Sequence, residues 1–190
     1  ATNVLRTGRK DLALATLVLD AGKAAIALLL AREIAGLVGF EEELQRQMGL
    51  TAGAAAFLGH CYPVWLGFKG GKGVATFFGV LFAGVWPLGV MAGITWLAVA
   101  TIFRYSSLAA LCAAAMAPIA ALIAQFGWAE VIFSALLAAL IGQARLAQEP
   151  GAGELICTQL HHLPLAVEIA GQLLAARPPQ ASTRKESHQS

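Results

Sequence analysis

The thirty residues VATFFGVLFAGVWPLGVMAGITWLAVATIF, positions 74–103, decide the fold. No charged side chain interrupts them. As one helix they would run about 45 Å, well beyond the roughly 30 Å of bilayer hydrocarbon, and would have to tilt strongly. Trp86-Pro87 lies near the middle. Proline cannot continue an established helix, and it biases the residue before it away from helix. The run therefore reads as two short helices broken near Trp86-Pro87. Each half would be about 20 Å long, short for a bilayer, and the membrane can thin locally to meet it. The choice sets the topology. A single span would carry Arg104 to the face opposite Lys72, whereas the broken pair returns it to the same face and gathers every basic cluster there.

Just before this run comes GHCYPVWLGFKGGKGVAT, residues 59–76. Gly70, Gly71 and Gly73 surround Lys72, with Lys69 ahead of them. Glycines let backbone N–H groups turn toward an anion and let it approach closely. Lysines add point charges, and a helix starting at Val74 offers its N-terminus. Residues 69–74 thus read either as a phosphate cradle or as a tight basic turn on the cytoplasmic side of a membrane. They are not a P-loop, because Gly73 and Val74 follow Lys72 where Ser or Thr belongs.

Composition sets the environment. The 190 residues are 58% hydrophobic and 13% charged, with mean hydropathy +0.69. A soluble domain carries about 25% charged residues, so long apolar runs at this density mean membrane. The length suits one bundle. A net charge of +2 argues against a nucleic-acid partner. Cys61, Cys112 and Cys157 are scattered, without ligand spacing, which argues against a metal site or a disulfide framework.

Working outward, residues 12–38 form a first apolar segment, interrupted by Asp20 and Lys23 on one helical face. Charges at this depth face a bundle interior or a polar cavity. They serve either as an ion pair pinning two helices or as support for a site. GFEEELQRQMG, residues 39–49, reads as an extracytoplasmic loop, having one Arg against Arg6, Arg9 and Lys10 in the polar start. A second span over residues 50–66 ends near Trp65. Beyond Arg104, spans follow over 106–125, with Pro118 inside, and over 128–142. GQARLAQEPGAGE then reads as a loop, residues 155–176 as an amphipathic helix with His161, His162 and Glu168, and residues 177–190 as a disordered polar tail. Small residues such as Gly22 suit close helix packing in lipid. The expectation is an all-α integral membrane bundle of about six membrane helices, some short or broken. Its parts are a bundle over 1–142, a divergent segment over 143–176 and the tail.

GHxxPVxxxFKGGKGVATxxG resembles the glycine-rich motif of the bacterial acyl-phosphate:glycerol-3-phosphate acyltransferases. It matches at Gly59, His60, Pro63, Val64, Phe68 through Thr76, and Gly79. ATNVLR at 1–6 and RYSSLA at 104–109 are similar to two further family motifs, and the resemblance covers roughly residues 1–142. It implies transfer of an acyl chain from acyl phosphate to glycerol 3-phosphate, giving lysophosphatidic acid. The site would be cytoplasmic, in a multi-pass protein of the bacterial plasma membrane. No metal or organic cofactor is implied, and the expectation is a monomer whose partners are the two substrates and membrane lipid. The family's pattern also differs from this chain. It has a helix and SGNxG before ATN, which suggests a fragment beginning inside the first motif. It has Ser where Ala110 stands, and it continues into RHxxNIxRLxxGxE, absent after residue 142. A shifted reading frame or a divergent, inactive member would produce that change. Leu165 stands where an Asn would follow His162, so the double His reads as an interfacial or solvated face.

Two phosphates at one face need cations and oriented N–H groups. Arg6, Lys69, Lys72 and Arg104 supply the cations, and Gly70, Gly71 and Gly73 the N–H groups. Asn3 either hydrogen-bonds a substrate oxygen or caps a helix, and the resemblance favours the substrate. Ser107, with Ser106, is a phosphate donor or an N-cap. Catalytic roles fall to His60, Lys72 and Arg6. His60 is either a base or a residue that shapes the loop. Acyltransferases using HxxxxD place Asp where this chain has Trp65, so that pair is absent. A bound phosphate would also explain an approach of Lys72 and Arg6, since like charges otherwise repel. The rival reading is a small membrane transporter or an anion-binding module. It is disfavoured because the polar motifs lie at one face rather than at the midplane, and no inverted repeat is visible.

Overall fold

The computed structural model describes residues 8–68 and 70–148 of the chain. Among them are six α-helices: α1 (Lys10–Val38), α2 (Glu42–Cys61), α3 (Val74–Gly84), α4 (Trp86–Phe103), α5 (Ser106–Ile123) and α6 (Trp128–Gln148). All belong to one compact unit. α1, α4, α5 and α6 are long and apolar enough to cross a membrane, and α3 is shorter. Large apolar side chains face outward along them, among them Leu19, Leu37, Ile94 and Ile123. Such an apolar surface suits lipid, where helices can stand because their backbone bonds are internal.

The broken-helix reading of 74–103 is borne out. α3 ends at Gly84 and α4 begins at Trp86, with Val85 as a buried, non-helical joint. Pro87 lies in the first turn of α4, where a missing N–H costs nothing. α3 has 11 residues and spans about 17 Å, too short to cross alone.

Two segment readings are corrected, at the start of α2 and at the end of α6. Residues 39–49 are not a loop, since α2 already begins at Glu42. Glu42 and Glu43 complement the positive end of the helix. Glu43 also accepts hydrogen bonds from Arg46 and Gln47 one turn on, which holds the polar start helical. The connection shrinks to a tight turn at Gly39, whose φ of 91° only glycine adopts cheaply. Phe40 N–H to Ala35 O and Gly39 N–H to Gly36 O close the end of α1. At the other end, α6 continues past Gly142 through Gln148, because nothing before Pro150 breaks the helix. The expected helix over 155–176 and the tail lie outside the described residues.

Glycines set the packing of α1, α2 and α3. A Cβ on Gly79 would land on the Ala21 backbone, and one on Gly49 would meet the Leu28 carbonyl at 3.1 Å. Gly84 faces Leu28 and Leu50, and Gly53 faces Leu28 and Val80. These contacts run α2 antiparallel to both α1 and α3. Gly22, expected to pack closely, has nothing within 4 Å of a Cβ. The core they enclose includes Leu28, Phe57, Phe77, Val80, Leu81 and Leu88, with the alanines of α5 and Leu137 and Ile141 of α6.

Two polar pairs fix the ends of the bundle. Arg46, near the start of α2, bonds Glu130, near the start of α6. Arg145, near the end of α6, bonds Ser107 at the start of α5. α2 and α6 therefore leave the same end together. Arg104, Ser107 and Arg145 come to the end where α2 delivers His60 and the glycine loop.

Candidate functional site at the glycine loop

His60 lies in the last turn of α2, with its side chain 12% exposed. Lys23 Nζ on α1 is 2.6 Å from His60 Nδ1 and 2.8 Å from Asp20 Oδ1, and Asp20 Oδ1 is 3.6 Å from the ring. An ammonium can only donate, so Nδ1 accepts and the ring proton belongs on Nε2. The intramembrane charges expected in the first apolar segment thus form one cluster with His60. A carboxylate and a lysine orient the ring. Only the tertiary packing of α1 on α2 joins them, across 37 positions.

The loop is built on this ring. Gly71 N–H donates to the His60 carbonyl at 3.0 Å. A Cβ at Gly71 would land on the imidazole, and one at Gly70 on the His60 and Cys61 carbonyls and Pro63. Gly73 has φ 76°, and a Cβ there would meet Cys61 Sγ and the Phe57 ring, each at 2.8 Å. All three glycines therefore have a packing reason against the end of α2. Close packing also leaves the chain running directly into α3 from Gly73, its N-cap, with half-buried Lys72 just before it. No side chain caps α3, and in its first turn the Thr76 hydroxyl is buried without a partner. Upstream, Gly67 and Phe68 both have positive φ, and the Phe68 N–H returns to the Pro63 carbonyl at 3.0 Å. The exposed Trp65 sits in the intervening 3-10 turn.

A second polar group forms between α4 and α5. Arg104 ends α4 in the left-handed region, φ 55°, and is exposed. Ser106 opens α5, and Ser107 accepts from Arg145. The structure thus brings His60, Gly70, Gly71, Lys72 and Gly73 together, and places Arg104 and Ser107 at the same end of the bundle. Asn3, Arg6 and Lys69 lie outside the described residues. The sequence reading passed over Arg145 because its segment read as a loop. An arginine at the end of a long apolar run was the available signal.

A family model described as glycerol-3-phosphate acyltransferase matches residues 1–148. A glycerol-3-phosphate acyltransferase of Rhodospirillum rubrum is 56% identical over 151 residues, covering 78% of this chain and 69% of that protein. The one from Maricaulis maris is 58% identical over 142 residues, covering 74% of this chain and 61% of that protein. The chain thus spans about two thirds of the first relative's length and less than two thirds of the second's. The crystal structure of PlsY (YgiH), an integral membrane glycerol 3-phosphate acyltransferase, is similar in two forms. Its glycerol 3-phosphate form aligns with TM-score 0.66 at 33% identity, over 77% of this chain and 70% of that one. Its lysophosphatidic acid form aligns with TM-score 0.65 at 33% identity, over 75% and 69%. A match over 148 residues that spans the glycine loop, His60 and the α4–α5 turn is decisive: the chain belongs to the integral membrane glycerol-3-phosphate acyltransferase family.

Proposed function

We propose that this chain transfers an acyl chain from acyl phosphate to the hydroxyl of glycerol 3-phosphate, at the cytoplasmic face of a bacterial plasma membrane. The observation that carries this reading is the Gly70–Gly73 loop, seated on an oriented His60 at the uncapped N-terminus of α3. Family membership supports it, as do the glycerol 3-phosphate and lysophosphatidic acid forms of the related PlsY structure.

Lys72, Lys69 and the backbone N–H groups where the glycine loop of Gly70, Gly71 and Gly73 opens α3 hold the phosphate of glycerol 3-phosphate, the Gly71 N–H staying on the His60 carbonyl, with Arg6 and Asn3 completing that side. Arg104 and Ser107 serve the phosphate of the donor, whose acyl chain lies along the apolar helices. The substrate hydroxyl oxygen attacks the acyl carbonyl carbon. A C–O ester bond forms, the C–O bond to phosphate breaks, and inorganic phosphate leaves. The hydroxyl proton passes to a substrate phosphate oxygen. With so good a leaving group, positioning and charge stabilisation carry most of the rate. Of its two roles, His60 takes the shaping one, because Nδ1 is occupied by Lys23 and the ring is packed under Gly71.

The test incubates the detergent-purified chain with palmitoyl phosphate and labelled glycerol 3-phosphate. Labelled lysophosphatidic acid and an equal amount of inorganic phosphate are expected. Uptake of labelled glycerol 3-phosphate into vesicles, with no lysophosphatidic acid formed by folded protein, would favour the transporter instead.

A further inference from the structure

Arg145 is 6% exposed, and its Nε has no hydrogen-bond partner. Its guanidinium donates to Ser107 Oγ, and among the described residues no carboxylate pairs with it. Glu130, the other buried charge of α6, differs in having Arg46. A buried cation without a counter-charge is costly unless something compensates it. The end of its own helix helps, but an exposed arginine would gain that much. The side chain instead turns inward, to the first turn of α5. That 18-residue helix has no side-chain cap, so its N-terminus presents backbone N–H groups there. Exposed Arg104 and Ser106 border the spot.

We propose that the first turn of α5 and the inward-facing Arg145 guanidinium form an oxyanion subsite for a phosphate monoester, the leaving phosphate of the acyl donor. This rests on the acyl-transfer reading and adds Arg145 as a binding residue. Helix N–H groups and a guanidinium fork together match a phosphate's geometry. The subsite draws on α5 and α6 and the glycine loop joins α2 to α3, so each substrate phosphate has its own cations. Arg145 neutralises charge that builds on the departing phosphate.

The test titrates the full 190-residue chain in detergent with hexyl phosphate, a soluble stand-in for the donor head, and separately with glycerol 3-phosphate. Arg145→Gln is expected to weaken hexyl phosphate about tenfold or more, the loss of a charge-assisted bond. Glycerol 3-phosphate affinity should stay within about twofold, because its phosphate is held by the loop between α2 and α3 and not by Arg145. Arg145→Lys keeps the charge without the fork and should fall between. If Arg145→Gln does not fold, Ser107→Ala gives the same readout. Unchanged hexyl phosphate affinity in the folded variants overturns the proposal. So does competition by phosphatidylglycerol in nanodiscs with none by hexyl phosphate, which would mark a lipid-headgroup site. Wild-type protein that makes lysophosphatidic acid but does not bind hexyl phosphate sinks the subsite alone. Protein that binds hexyl phosphate through Arg145 yet makes no lysophosphatidic acid sinks the acyl-transfer reading alone.

Discussion

Lys23 Nζ lies 2.6 Å from His60 Nδ1, and this contact ties α1 to the glycine loop through one imidazole. Asp20 holds Lys23 in turn, at 2.8 Å. The ring under Gly71 is therefore set by two residues of another helix.

Lys23→Ala should release the ring and lower kcat/KM about ten- to hundredfold, since an ångström of misplacement is enough for that. Lys23→Gln keeps a donor toward Nδ1 and should retain most of the activity. Steady-state kinetics with melting curves in detergent check this. Equal losses in both variants would make the contact incidental to the loop.

Gly71→Ala places a methyl on the His60 ring, so stability should suffer along with substrate binding. Overpacking of this kind costs about 1–3 kcal/mol. In a His60→Ala background the clash disappears, and Gly71→Ala should then cost much less. Melting temperatures of the four proteins in the cycle test the coupling.

Gly79→Ala should destabilise more than Gly22→Ala. A Cβ at Gly79 meets the Ala21 backbone, which cannot move aside as a side chain would. At Gly22 it meets nothing, and removing a mid-helix glycine should stabilise by about 0.5–1 kcal/mol. Unfolding in detergent separates the two, and similar effects would contradict the close α1–α3 contact.

Arg46→Met leaves the fully buried Glu130 without its cation and should cost about 3–5 kcal/mol. Adding Glu130→Gln should recover part of the loss. Additive losses would mean that the pair contributes nothing specific.

The parts legible in the sequence were those written locally. Pro87 announced the break between α3 and α4, and the apolar runs announced α1, α5 and the body of α6. The start of α2 was not legible, because counting charges in EEELQR hides the i to i+3 and i to i+4 bonds that make those charges helical. GQARLAQEPGAGE reads as a loop, yet the helix absorbs its first seven residues, Gly142 through Gln148. The glycine loop could be recognised as a motif, but its packing on His60 could not, since that depends on α2 ending beside α3. Asp20 and Lys23 were visible as a pair, and their third member came only with the fold. Arg145 needed burial to stand out.

The central claim is that the loop of Gly70, Gly71, Lys72 and Gly73 holds the phosphate of glycerol 3-phosphate. Lys72→Gln removes the charge and nearly keeps the size. The most direct measurement is kcat and KM for glycerol 3-phosphate in this variant, with palmitoyl phosphate saturating. The account predicts a raised KM and a lowered kcat, together about a hundredfold in kcat/KM, as for the loss of a charged partner to a phosphate. Full activity in a folded Lys72→Gln protein would contradict it.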